Sequence, residues 1–374
     1  MKKVGFSILA SLLLFSGVFA QKSIVVTNTA DIARKAEMVE VKVCCKKNCI
    51  LKNAVILKNA KGEEVPYQLT YNEKNEVQGF IFQADVDPKS TATYSIIEGK
   101  PAPVTAKTFG RFVPERKDDF AWENDFAAYR MYGPALAKEN PSNGVDFWAK
   151  KTEKLIVDEF YHGELKQGLS YHRDRGHGLD FYKVAHTLGC GGIAPYLNDT
   201  LWIGNHFDSY EVLENGPLRT VFALTYNAVK VAGETYKQTI TITVNAGSLL
   251  NKAVVSYSGK SQKMQLAPGV FLHDGKGNLN VNAGIITYAE EAISEFKEPS
   301  GRNYVAVIVP SKTKNSKKEN AHAFLLTDYK VGTDFTYYFG GGWNNWKFPT
   351  DNDWQKAVND YKIALQHPLK VKLK

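Results

Sequence analysis

The chain lacks most of the short signatures that announce a mechanism. It carries no Gly-x-Ser-x-Gly elbow, no phosphate-binding Gly-Lys loop and no glycine fingerprint between a strand and a helix, which argues against serine hydrolases, nucleotide-dependent enzymes and dehydrogenases. Beyond residue 20, no run approaches the roughly 18 to 20 apolar residues that a spanning helix needs. Positive charge is not concentrated either. The formal charge of +8 is spread along the chain, and the lysine-rich SKTKNSKKEN at 311–320 reads as a solvated loop rather than the aromatic-laced basic stripe that nucleic acid requires. Cysteine is scarce: Cys44, Cys45, Cys49 and Cys190. Without a nearby histidine or a second pair they do not make a zinc site. In an oxidising compartment one bridge from Cys49 to Cys44 or Cys45 is expected, with Cys190 a small buried residue.

The first twenty residues run from two lysines through an apolar stretch to Val18-Phe19-Ala20, the pattern of a cleaved secretory signal. Its loss lowers the charge by two, and Gln21 offers no thiol for lipidation. The expectation is a periplasmic or secreted protein that does not insert in a membrane after cleavage. It is expected to bind no nucleic acid and to be a monomer or small homo-oligomer.

Residues 21–105 alternate short β-rich runs such as SIVVTN, VEVKV and GFIFQADV with turn clusters, an antiparallel N-terminal segment packed on the main domain. The Pro-containing connector GKPAPVTAKT at 99–108 leads into that domain, 106–374. There YKQTITITVNAG, KAVVSYSG, YVAVIVP and FTYYFG read as strands, with no helices spaced between them to support a parallel sheet. The fold class is therefore mainly β, with stacked antiparallel sheets and few helices. One helix is expected near the end, capped by Thr350 with Asp353 three residues on, and with Trp354, Ala357, Tyr361 and Leu365 at helical spacing.

Chemistry concentrates in YHGELKQGLSYHRDRGHGLDFY, 161–182, which holds three of the eight histidines. Tyr161 to Gly168 reads as a strand end and a turn, so the sharper group is Tyr171, His172, Asp174, Arg175, His177, Asp180 and Tyr182. Histidine and tyrosine there supply acid and base, and Asp174 and Asp180 orient them. A metal site from His172, Asp174 and His177 fits the spacing, but Arg173 and Arg175 oppose a cation, so no metal or other cofactor is expected. Upstream, Trp122, Glu123, Asp125 and Arg130 combine aromatic faces with ions, as a sugar site does, and Arg130 can grip a carboxylate with two parallel hydrogen bonds. GGGWNNW at 340–346 reads either as a ligand-facing turn bearing Trp343 or as a tight turn with core tryptophans. His206 and His273 lie among apolar residues and read as satisfied core histidines.

The succession FAWENDFAAYRMYGPAL (120–136), GVDFWAKK (144–151), YHRDRGHGLDFYKV (171–184), LGCGGIA (188–194), ENGPLRTVFAL (214–224) and YYFGGGWNNWKFPTDNDW (337–354) resembles a secreted bacterial family catalogued as a domain of unknown function, DUF 4861. The resemblance implies an antiparallel β-supersandwich related to galactose mutarotases and several polysaccharide lyases. It also implies similarity to ulvan oligosaccharide dehydratases, which remove water from a uronic acid at a non-reducing end and leave a 4,5-unsaturated uronyl product.

The residues suit that chemistry. Arg130 or Arg175 would hold the uronate carboxylate, His172 would take the C5 proton, and Tyr171, His177 or Tyr182 would protonate the departing C4 oxygen. The expected partner is an acidic oligosaccharide that loses water or an alcohol. Two other readings stand: a sugar epimerase or mutarotase, and a non-catalytic glycan-binding protein relying on Trp122, Trp148, Trp202 and Trp343.

Overall fold

A computed structural model describes residues 22–45, 48–49, 54–138, 143–260 and 263–374; residues 1–20, where the sequence leads one to expect a secretory signal, and the side chains of Cys44, Cys45 and Cys49 lie outside the described residues. Alternation builds the N-terminal sandwich. In Lys22–Thr27, Ile24 and Val26 point inward, and with Val39, Val41, Phe80, Phe82 and Tyr94 they form a core of their own. One layer orders Lys370–Leu373, Lys22–Thr27, Thr91–Glu98 and Val55–Lys58; the other orders Arg34–Lys42, Val77–Val86 and Tyr67–Tyr71. The last strand of the chain thus pairs with the first, Ile24 opposite Leu373. Gln68 ties this sandwich to the rest, its Oε1 accepting from the N–H groups of Leu218 and Arg219 at 2.7 and 2.9 Å.

The main unit is an antiparallel β-supersandwich. An eight-stranded sheet runs from Ser209–Asn215 through Arg219–Val231 and Glu234–Asn245 to Ile285–Ile293 and Asn278–Asn282 at its far edge. In Glu234–Asn245 the alternation is regular: Ile240, Ile242 and Val244 are buried between half-exposed threonines. Two five-stranded sheets contribute to the same core, one of them ordered Gly178–Asp180, Asp146–Lys150, Ala127–Met131, Asp119–Asn124 and Thr108–Val113.

Several local expectations change. Tyr161–Gly168 is helical, the helix Val157–His162 running into a π-helical turn Gly163–Gln167. Its start is anchored by the Glu123 carboxylate, which accepts from the N–H groups of Ile156 and Val157 at 2.8 Å. Half of the lysine-rich run is an exposed edge strand, Asn315–Glu319, paired to His322–Lys330; lysines there discourage edge-to-edge pairing. Asp351–Gln366 is the expected terminal helix, with the reciprocal Thr350–Asp353 cap formed.

The sheet that ends in Gly178–Asp180 is buried on both faces. Phe120, Trp122, Tyr129, Met131 and Phe147 look into the main core, while Ala121, Ala128 and Trp148 look outward under the helix, with Tyr161 and Tyr171 closing over them. Arg130 stands on that outer face. It donates from Nε to Asp146 at 2.7 Å, from Nη2 to Asp180 at 3.0 Å, and from Nη1 to the Tyr171 hydroxyl at 3.0 Å and to Asp119 at 3.5 Å. The rings of Tyr132, Trp148 and Tyr171 surround its guanidinium at 5.0 to 5.6 Å. Three buried carboxylates share one fully buried cation, with the half-buried Arg116 as a further counter-charge to Asp119 and Asp180. Burial, opposed by Arg130, pushes Asp119 up to about 6, and burial together with the Asp146 charge holds Asp180 well above the usual carboxylate range.

Two outcomes follow from this geometry. Asp119 binds its proton more tightly in the folded chain. The stability it contributes is therefore fully present below its ordinary value of 3.8 and is lost as pH rises through about 6. Relative to wild type, Asp119→Asn should gain ~2 to 3 kcal/mol between pH 4 and pH 7 in denaturant unfolding; a constant difference, or one of opposite slope, contradicts the assignment. Arg130→Met, which strands the carboxylates, should lose on the order of 3–5 kcal/mol, and a loss below about 1 kcal/mol would show that the cluster does not depend on its cation.

Candidate functional site

The segment from Tyr171 to Tyr182 is held by its own backbone. Asp180 N–H donates to the Tyr171 carbonyl at 2.9 Å, closing the loop, and Asp174 Oδ1 accepts from the N–H groups of Gly176 and Gly178 at 2.8 and 3.3 Å. Gly178 is obligatory: its φ is +121° and a Cβ there would lie 2.0 Å from the Ala149 carbonyl oxygen. Asp174 also pairs with Lys151, so it builds the turn.

His172 sits at the solvent edge of the Arg130 cluster, its side chain 24% exposed. Its Nδ1 lies 3.0 Å from the Asp180 carbonyl oxygen, and its ring rests 4.6 Å from that of Tyr171. A carbonyl can only accept, so Nδ1 carries a hydrogen, and a ring with one hydrogen would present its lone pair at Nε2. Nε2 points toward Glu295 Oε2 at 3.4 Å, and Arg173 lies over the Phe296 ring at 3.9 Å. Both partners belong to the turn between Ile285–Ile293 and Pro299–Ile308. That hairpin, which carries no signature in the sequence, closes over the loop.

The other sequence candidates separate. Tyr171 turns inward to Arg130. His177 pairs through Nδ1 with Glu159 on the helix at 2.9 Å, and Arg175 is exposed, its Nε 3.5 Å from the Ser170 carbonyl. The metal triad that the spacing allows does not assemble, because His172, Asp174 and His177 each face a different partner. Asp180 backs both Arg130 and His172, with Oδ2 3.6 Å from the imidazole Nδ1.

Tyr182, two residues after Asp180, is buried against the ring of His273 at 4.7 Å. Phe271 and Leu272 give His273 the sequence setting of a core histidine, yet its side chain is 26% exposed and both ring nitrogens are engaged, Nδ1 with Glu290 at 2.6 Å and Nε2 with the Lys183 carbonyl at 2.8 Å. The Asp-Gly that comes after it in FLHDG is the available sign of a surface turn.

The upstream group takes structural positions instead of forming a sugar platform. Arg130 is 4% exposed and already engaged with carboxylates, which leaves it poorly placed to grip a substrate acid. Trp122 is fully buried between sheets, its Nε1 donating to Asn251 at 3.1 Å. Glu123 pairs with buried Lys150 at 2.8 Å, and Asp125 accepts from Gly247 N–H at 2.7 Å. Trp343 is buried on Phe181 and donates to the Ser300 carbonyl at 2.6 Å. Its preceding glycines serve packing, since a Cβ on Gly341 would strike the Phe147 ring at 2.6 Å.

Comparison with known proteins agrees with this architecture. The domain of unknown function DUF4861 matches residues 26–371. "Uncharacterized protein P7" of Formosa agariphila is 31% identical over 313 residues, which cover 78% of this chain and 77% of that protein. A crystal structure of a glycosyl hydrolase family 38 protein from Enterococcus faecalis superposes with a TM-score of 0.50 at 8% identity, over 95% of this chain and 47% of that one. The likeness is one of fold, and the chain spans about half the length of that structure. On the extent of the family match, this chain belongs to the DUF4861 family.

Proposed function

We propose that the protein is an exported carbohydrate-active enzyme that removes water, or an alcohol, across C4–C5 of a terminal uronic acid in acidic oligosaccharides. The observation that carries this reading is the placement of His172: Nδ1 is held on the Asp180 carbonyl, Nε2 is turned to a solvent-reachable edge where the exposed Glu295 stands at 3.4 Å, and a carboxylate cluster lies behind it. A C5 proton lies next to the uronate carboxylate, so its removal needs an aimed base and a cation near the acid group. With Arg130 occupied, Arg175 takes the carboxylate-binding role, and Arg173 lies on the same loop. Glu295, now beside Nε2, is an exposed side chain on a turn and yields that position to substrate. The supersandwich fold and the signal-like residues 1–20 support a setting of extracytoplasmic polysaccharide breakdown.

Incubation with a panel of uronate-ended oligosaccharides, followed by ultraviolet absorbance of a conjugated enol acid and by product mass, tests the reaction. Loss of one water is the expected result. Chain cleavage with a new unsaturated end would make it a polysaccharide lyase, and binding without any product would support the lectin-like reading. His172→Ala should lower turnover by about 10²- to 10⁴-fold with the melting temperature unchanged; retained turnover removes His172 from the mechanism. Arg175→Ala should raise KM for a uronate far more than for a neutral sugar, and equal effects on both would count against carboxylate recognition.

A further inference from the structure

Bond counting at the histidines singles out a second group of residues. At His322, Nδ1 lies 2.7 Å from the Asn320 carbonyl, which accepts, and Nε2 lies 3.2 Å from Leu188 N–H, which donates. One donor and one acceptor satisfy a neutral ring. His273 differs, because both of its neighbours accept: the Glu290 carboxylate at 2.6 Å and the Lys183 carbonyl at 2.8 Å. A neutral imidazole has a single N–H, so both contacts are satisfied together only when the pair carries one further proton, on His273 or shared with Glu290.

Three buried oxygens gather around this pair. Asn303 Nδ2 donates to Glu290 Oε1 at 3.2 Å, which fixes the amide so that Oδ1 faces away from that bond. Asn303 Oδ1, Glu290 Oε2 and the Tyr182 hydroxyl have no hydrogen-bonding partner among the described residues, and each residue is more than nine-tenths buried. Unpartnered buried polar atoms are costly, and these three, one of them on the carboxylate itself, point to a hydroxyl-bearing ligand that they receive. The Tyr288 hydroxyl accepts from Gly277 N–H at 3.1 Å and is itself within hydrogen-bonding reach of Glu290; Asp146, Asp274 and the Cys190 thiol are the further titratable neighbours of the two phenols. The group opens to solvent at His273. It adjoins the His172 edge in the chain, since the carbonyl that holds His172 belongs to Asp180 and the one that holds His273 to Lys183, three residues on and about 10 Å away at full extension.

We propose that Tyr182, Glu290 and Asn303 receive the C4 hydroxyl side of the substrate sugar, that Tyr182 is the catalytic acid for the departing oxygen, and that His273 is a positioning residue that orients Glu290. The assignment rests on the uronate-elimination reading. In the step, His172 takes the C5 proton, the C5–H electron pair becomes the second C4–C5 bond, and the C4–O bond breaks toward oxygen. That oxygen accepts the Tyr182 proton and leaves as water, and the phenolate is reprotonated from solvent along His273. Burial, reinforced by Cys190 and then Glu290 among other neighbours, holds the Tyr182 phenol well above its ordinary value, so it stays protonated at neutral pH.

The test uses two uronate-ended disaccharides, one with a C4 hydroxyl and one with fluorine at C4, which departs without a proton. Tyr182→Phe should lower kcat about 100-fold or more on the hydroxyl substrate and less than about 5-fold on the fluoride, with KM little changed. Its melting temperature should not fall, because the hydroxyl has no partner to lose. Equal losses on both substrates overturn the acid role. In 15N-histidine NMR of the whole protein, His273 should carry hydrogen on both ring nitrogens at pH 7 and on one in Glu290→Gln; a singly protonated wild-type ring overturns its positioning role. If the wild type turns over neither substrate, the elimination reading itself falls, an outcome distinct from turnover that is indifferent to Tyr182→Phe.

Discussion

Arg130 buried among Asp119, Asp146 and Asp180 is the interaction on which the rest of this region depends. A guanidinium taken out of water needs its donors answered, and here carboxylates from three strands and a tyrosine from the neighbouring loop answer them. The cluster therefore fixes the relative positions of Asp119–Asn124, Asp146–Lys150 and the short edge strand Gly178–Asp180, and it pulls Tyr171 onto the sheet. His172 comes directly after Tyr171, so its ring is placed by the residue before it and aimed by the carbonyl of Asp180. Burial, joined at Asp180 by the Asp146 charge, raises the affinity for protons of the carboxylates standing behind the imidazole.

Two imidazoles flank one stretch of chain, and their bonds give them different work. His172 has Nδ1 committed to a backbone acceptor and Nε2 turned outward beside the exposed Glu295, so a substrate that displaces Glu295 meets a base. His273 has both nitrogens committed to acceptors, the arrangement of a group that holds a proton and fixes its neighbour. The hairpin of Ile285–Ile293 and Pro299–Ile308 supplies the carboxylates that meet both, Glu295 and Glu290.

Much of the fold is legible in the sequence because it rests on local periodicity. Ile240, Ile242 and Val244 alternate with threonines, and Thr350 with Asp353 caps the last helix. The features that are not legible depend on partners distant in sequence. Tyr161 to Gly168 carries glycines and too short a run to signal a helix, and the helix exists because Glu123, 33 residues before Ile156, caps its start. Arg130 reads as a free carboxylate grip since nothing in its neighbourhood announces that Asp146 and Asp180 will fold onto it. The 171–182 loop is recognisable from its density of titratable groups, but Glu290, Asn303 and His273 are scattered over strands and turns and meet only in three dimensions.

The central claim is that C5 of a uronate loses its proton and C4 its oxygen. A substrate bearing deuterium at C5 tests it most directly, with isotope content and mass of the product followed together. The account predicts complete loss of the label with loss of one water, and slower turnover than the unlabelled sugar. Deuterium retained at C5 in a product that has gained water would contradict it, and label lost without any loss of water would identify an epimerase instead.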